Sequence, residues 1–154
     1  MKKLFIGLLF CLTVVSCQDD FDEWGYVNFY IEPDTTEYQN LNDGTRQWEY
    51  FEGGNRGVII VRNSHYEFMA YERSCVVKGC KGRLEMDKNT NVIIYCPDCK
   101  SQWISVDGSP LVSSGSKTNH TRLQTKANKA VRMLYAYCAY YDGWRLYVRN
   151  CANN

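Results

Sequence analysis

Histidine and proline are the scarce residues of this 154-residue chain, with two of the first and three of the second. His65 and His120 both stand in polar surroundings and read as exposed loop residues, so a histidine-rich metal site is not in prospect. No Ser/His/Asp order, HExxH, P-loop or GxGxxG occurs, which removes the hydrolases, zinc peptidases and nucleotide sites that carry those motifs. Gly53-Gly54 with Gly57 is a turn and not a phosphate cradle, since no helix follows it. Charge of neither sign accumulates: 18 Lys and Arg stand against 17 Asp and Glu. Without a basic run, nucleic acid is not an expected partner. The longest apolar run falls short of the about 20 residues that cross a bilayer. No internal repeat or low-complexity stretch is seen.

What the chain does have begins at its N-terminus. Lys2 and Lys3 form a basic start, Leu4 to Val15 a short apolar run, and Val14-Val15-Ser16-Cys17 a lipobox-like cleavage site. Residues 1–16 are therefore expected to be a lipoprotein signal peptide. Cys17 becomes the lipidated mature N-terminus, carrying thioether and amide-linked acyl chains, and more than one chain suffices for stable anchoring. Residues 17–24 read as an acidic tether, with Asp19, Asp20, Asp22 and Glu23. The pattern resembles bacterial lipoproteins sent to the outer membrane or cell surface. Loss of Lys2 and Lys3 takes the formal charge from +1 to about −1.

Residues 25–154 then form one domain, long enough to bury a core. Tyr-rich and β-branched composition favours strands. Strands are expected at Gly25–Ile31, Gln47–Phe51, Val58–Val61, Tyr66–Tyr71, Arg83–Met86, Asn91–Tyr95, Gln102–Val106, Val131–Tyr140 and Trp144–Arg149. Val58–Val61 is a continuous apolar run, the mark of a strand buried on both faces. Asp142-Gly143 reads as a two-residue hairpin turn. One helical stretch is expected, Thr125 to Met133. About ten short strands at close spacing make an all-β antiparallel sandwich or barrel.

Six cysteines remain after processing, since Cys11 leaves with the signal and Cys17 carries lipid. Four of them form two loops: Cys75-Val-Val-Lys-Gly-Cys80 after one strand, and Cys96-Pro-Asp-Cys99 after another. In this order the segment from Gly57 to Asn150, with its closing Asp107-Gly-Ser-Pro110 turn and final hairpin, resembles the Rieske domain. That family places one cysteine and one histidine in each of two loops around a [2Fe–2S] cluster. Cys75 and Cys96 fall at its cysteine-ligand positions. Val77 and Cys99 stand where its histidines belong, and Cys80 and Asp98 where its respiratory branch has a disulfide. Rieske chemistry needs two imidazoles on one iron, so the resemblance implies the fold with a degenerate site.

Three uses of Cys75, Cys80, Cys96 and Cys99 stay open. An oxidising envelope favours disulfides, with no cofactor. The spacing also nearly matches a four-cysteine zinc site. An all-cysteine [2Fe–2S] cluster would make an electron carrier, but no twin arginine precedes the apolar run, so export would follow the unfolded-chain route. Thiol oxidoreductase chemistry at Cys96-Pro-Asp-Cys99 would need a helix N-terminus or cations, and only Lys78, Lys81 and Lys100 are at hand. For Cys138 and Cys151, an Asp142-Gly143 turn sets Cys138 opposite Tyr147. Cys151 then lies about 13 Å along the ladder, too far for a disulfide. Cys138 is expected to be a buried free thiol and Cys151 to lie in a frayed tail. Glu67, Glu72, Glu85 and Asp87 read as solvated strand faces. Trp48, Trp103 and Trp144 are the candidate floor of a glycan site, although alternation assigns most of the aromatics to the core. Together these readings make a non-enzymatic outer-membrane lipoprotein whose loop cysteines are structural, by disulfide or zinc. The alternatives are the electron carrier and a surface module for a glycan or envelope protein.

Overall fold

The computed structural model describes residues 24–111 and 132–151. The signal peptide, Cys17 and the tether up to Glu23 lie outside the described residues. So do His120 and the expected helical stretch, apart from its last two residues, Arg132 and Met133, which are not helical.

Among the described residues there are nine strands: β1 (Asn28–Ile31), β2 (Trp48–Phe51), β3 (Val58–Arg62), β4 (Phe68–Glu72), β5 (Glu85–Met86), β6 (Ile93–Tyr95), β7 (Gln102–Ile104), β8 (Ala136–Tyr141) and β9 (Leu146–Arg149). A six-stranded antiparallel sheet has the order β1-β9-β8-β4-β3-β2 and curls into a half-barrel. The other three form a small antiparallel sheet, β5-β6-β7. This small sheet is one continuous piece of chain, set between β4 and β8, which pair with each other. Expected strands and observed ones agree to within about three residues at their ends, except that the strand expected from Val131 begins at Ala136. One short element was not expected. A 3-10 turn at Thr36–Tyr38 runs into a helix at Gln39–Asn42, held by burial of Leu41, by the Tyr38 ring against Phe51 and by the Asn40 and Asn42 side chains bonded to Glu49 and Pro33.

β3 explains the architecture. All five of its residues are buried, and alternation sends them two ways. Ile59 and Val61 join a core with Trp48, Tyr71, Leu84, Met86, Ile94 and Trp103, beneath the small sheet. Val58 and Ile60 join a second core inside the half-barrel with Val27, Ile31, Leu41, Leu146 and Val148. A single strand is therefore shared by two cores, which is why its sequence carries no polar face.

The final hairpin departs from the expected register. Tyr141 pairs with Leu146 and Cys138 with Arg149, so the loop spans four residues. Asp142 is the cause: its Oδ1 accepts the N–H of Trp144 at 2.8 Å and of Arg145 at 2.7 Å, an Asx-type turn that widens the connection. The shift brings Cys151 to within two residues of Cys138's partner. The chain leaves the ladder at Asn150, whose Oδ1 accepts the Val27 N–H and whose Nδ2 donates to the Gly25 carbonyl. Cys138 and Cys151 then lie 5.0 Å apart at Cα and are joined as a disulfide. The expected buried thiol and frayed tail are thus both corrected, and Cys138 is exposed.

Glu72 is a second correction. Its side chain is fully buried, because four donors converge on it. Oε2 accepts the Asn55 N–H and the Tyr137 hydroxyl, and Oε1 the N–H groups of Arg56 and Ser74. A buried carboxylate is tolerable only when its oxygens are satisfied in this way. Gly54 has φ +61°, and a Cβ on it would stand 2.1 Å from Glu72 Oε2. Only glycine lets the loop pass there.

Candidate metal centre

The two cysteine loops are tight turns that close on each other. The first leaves β4 and is pinned by the Cys75 N–H to the Gly82 carbonyl at 3.0 Å and by the Cys80 N–H to the Val77 carbonyl at 2.9 Å. A bridge between Ser74 and Arg83 joins its two ends. The second leaves β6 and returns into β7. There the Lys100 N–H donates to the Cys96 carbonyl and the Cys96 N–H to the Ser101 carbonyl, both at 2.9 Å. Lys100 takes a left-handed φ of 62° to make the return. The strand-like runs before Cys75 and Cys96 are thus what aim each pair.

All four sulfurs lie within 4.8 Å of one another. The nearest contacts run between loops: Cys75 to Cys99 at 3.7 Å and Cys80 to Cys96 at 3.6 Å. These are free thiols, none closed into a disulfide, which would need about 2.05 Å. Cys75 and Cys96 are buried and belong to the core beneath the small sheet, while Cys80 and Cys99 are half-buried and pack against it. Gly82 is the hidden member of the site. A Cβ on it would stand 2.3 Å from Cys96 Sγ, so the first loop touches the sulfur of the second with bare backbone.

Electrostatics divide the four. Burial pushes the thiols of Cys75 and Cys96 up. Burial also acts to raise Cys99, but hydrogen bonding to Ser101 and the neighbouring Cys96 and Cys75 bring it down to about 7. Cys75 and Cys96 therefore hold their protons until a cation displaces them, while Cys99 is the thiol that ionises most readily. No helix begins at Cys96-Pro-Asp-Cys99, so the activation that a redox-active motif draws from a helix dipole is missing there.

The remaining expectations fall apart in space. Among the described residues the cluster contains no histidine. His65 sits in the turn after β3, its ring 3.3 Å from Arg62 Nη2. Val77, which the sequence resemblance set at a histidine position, packs against the core. The three tryptophans make no platform: Trp48 and Trp103 are buried, and Trp144 alone is exposed. A different aromatic row, exposed Tyr30 and Tyr140 with half-buried Tyr147 between them, runs side by side across β1, β9 and β8. Alternation within β8 and β9 could have shown Tyr140 and Tyr147, but their cross-strand pairing depends on the register that Asp142 sets. Comparisons of the chain with family models, with curated proteins and with solved structures find no match.

Proposed function

We propose that this chain is a lipid-anchored envelope protein whose β domain is clamped by one zinc ion held by Cys75, Cys80, Cys96 and Cys99. The observation that carries the metal reading is the packing of the four sulfurs. Zinc–thiolate bonds of about 2.3 Å set tetrahedral sulfur–sulfur edges at about 3.8 Å, and the two shortest contacts here are 3.6 and 3.7 Å. A two-iron cluster divides its four cysteines between two metals and spreads the pairs, whereas these four crowd round one point. Tetrahedral sulfur coordination is chemistry that zinc favours.

The zinc would act as a structural clamp. It would tie the loop after β4 to the loop after β6, and so lock the small sheet onto the half-barrel. Two cysteine loops on a small sheet are in keeping with the Rieske resemblance of the sequence, with sulfur at all four positions and no imidazole to tune a redox potential. The lipoprotein part rests on the sequence around Cys17 alone.

Protein purified from its own host without reductant tests the reading. Elemental analysis should find one zinc per chain, with four thiols that react only after chelation. Two irons per chain with visible absorbance would make it an electron carrier. No metal and blocked thiols would leave a disulfide staple and sink the clamp. Palmitate labelling that disappears in Cys17→Ser tests the anchor independently.

A further inference from the structure

A cleft of about 670 Å³ opens beside the small sheet, away from the cysteine sulfurs, and its walls include Tyr50, Arg73, Glu85, Asp87, Lys88 and Tyr95. Arg73 is the unusual member. It is only 7% exposed, its guanidinium lies flat on the Tyr50 ring at 3.6 Å, and its Nε donates to the Leu84 carbonyl at 3.0 Å. Neither Nη atom has a hydrogen bond or ion pair among the described residues. The residue is part of the cleft wall. The Arg83 guanidinium is close by: its Nη2 and Arg73 Cδ both crowd the position a Cβ would take on Gly57. A like charge beside a buried, half-satisfied guanidinium is costly unless an anion completes it.

The opposite charge is in the same cleft. Glu85 Oε2 accepts the Tyr95 hydroxyl at 3.0 Å, which fixes the carboxylate and leaves Oε1 open. Asp87 is already engaged by Asn89 and Thr90 in its turn. Lys88 is exposed at the rim. The cleft therefore offers one preorganised guanidinium fork, one preorganised carboxylate oxygen and the Tyr95 ring. Its volume falls in the range of about 300–1,000 Å³ typical of small-molecule sites.

We propose that this cleft binds a short peptide, whose terminal carboxylate pairs with the Arg73 fork and whose terminal amine pairs with Glu85. An arginine stacked on an aromatic ring holds its two parallel donors in the geometry a carboxylate needs. Glu85 then discriminates the free amine from an acylated one. Tyr95 contributes an apolar face to the peptide's side chains. The argument uses no metal, so it stands or falls apart from the zinc clamp.

The test uses the full-length chain in detergent, as purified, titrated with dialanine and followed by calorimetry and amide NMR. Saturable binding is expected, with shifts confined to Tyr50, Glu85, Asn89, Tyr95 and their neighbours. N-acetyl-dialanine and dialanine amide should each bind about tenfold or more weakly, since each leaves one charged group of the cleft without its partner. Arg73→Lys should weaken dialanine to a similar extent. Glu85→Gln should weaken dialanine yet leave N-acetyl-dialanine unchanged, a readout that survives even if the Arg73 variant fails to fold. No saturation up to about 10 mM, a free energy of only some 3 kcal/mol, would overturn the proposal. Equal affinity for the free and acetylated peptides would do so too, as would glucuronate binding as tightly as dialanine.

Discussion

The Tyr137 hydroxyl on β8 donates to the Glu72 carboxylate at the end of β4 at 2.6 Å, and the same carboxylate receives the loop N–H groups of Asn55 and Arg56. One buried side chain thus ties three segments together next to the first cysteine loop. Glu72→Ala should destabilise the domain by more than about 3 kcal/mol, since several buried donors lose their acceptor at roughly 1–3 kcal/mol each. Tyr137→Phe should cost less, about 1.5–3 kcal/mol for one hydrogen bond to a charged group. Urea denaturation of the two variants checks the order. A tyrosine variant as damaging as the alanine one would contradict the convergence on Glu72.

Gly82→Ala is expected to break the metal centre while sparing the six-stranded sheet, because the new methyl would meet Cys96 Sγ at 2.3 Å. Zinc content per chain should fall well below one, with far-ultraviolet circular dichroism retained. Gly79→Ala is the control. A Cβ there meets nothing within 4 Å, though its φ of +79° brings backbone strain of about 1 kcal/mol. Full zinc in the Gly82 variant would show that the loops can separate without loss of the site.

Removal of zinc from the wild-type chain with a chelator under reducing conditions should lower Tm by about 10 °C. That corresponds to a loss of about 3 kcal/mol at roughly 2–4 °C per kcal/mol in a domain of this size. Scanning calorimetry before and after readdition of zinc measures it. An unchanged melt would mean that the loops hold without the ion.

The Cys138–Cys151 disulfide closes a loop of sequence separation 13. Replacing both with serine should cost about 3 kcal/mol, the chain-entropy figure for a loop near 15 residues, and leave zinc stoichiometry unaltered. Alkylation followed by mass spectrometry provides the companion check. Native protein should block neither residue, and reduced protein both.

Tyr141 is pushed up to about 12, by burial and by its hydrogen bond to Asp34. Its ordinary value is about 10. A raised folded value means the contribution to stability is fully present below pH 10 and is lost as pH climbs through 12. Asp34→Asn should return Tyr141 towards its ordinary value. Ultraviolet titration of the phenolate, compared between wild type and variant, reads this directly.

How much of this could be read from residues alone depends on whether the cause is local. Val58 to Val61 announced a doubly buried strand because both cores select apolar side chains from the same four positions. The cysteine loops were visible because each follows a strand at short spacing, and convergence on one point needs little else. The final hairpin was misread because a two-residue Asp-Gly turn and a wider Asp-anchored loop begin with the same residues. What separates them is the side chain of Asp142 reaching Trp144 and Arg145. Glu72 looked like a solvated carboxylate because its donors at Asn55, Arg56 and Tyr137 lie far away in sequence. Arg73 gave no signal for the same reason: its partner ring, Tyr50, belongs to β2.

The six-stranded sheet is closed by its most distant parts. Val27 and Asn150, 123 residues apart, share the bonds that extend the pairing of β1 with β9. The side of β1 that pairs in this sheet can be covered only by β9, a strand from the far end of the described chain. Closure over so long a span is a slow step in folding, and a bare edge is where strands of neighbouring chains add. Tyr30 and Arg145 meet on that seam, with the guanidinium over the ring at 4.8 Å. The chain's exposure to misassembly is therefore greatest in the interval before β9 docks between β1 and β8.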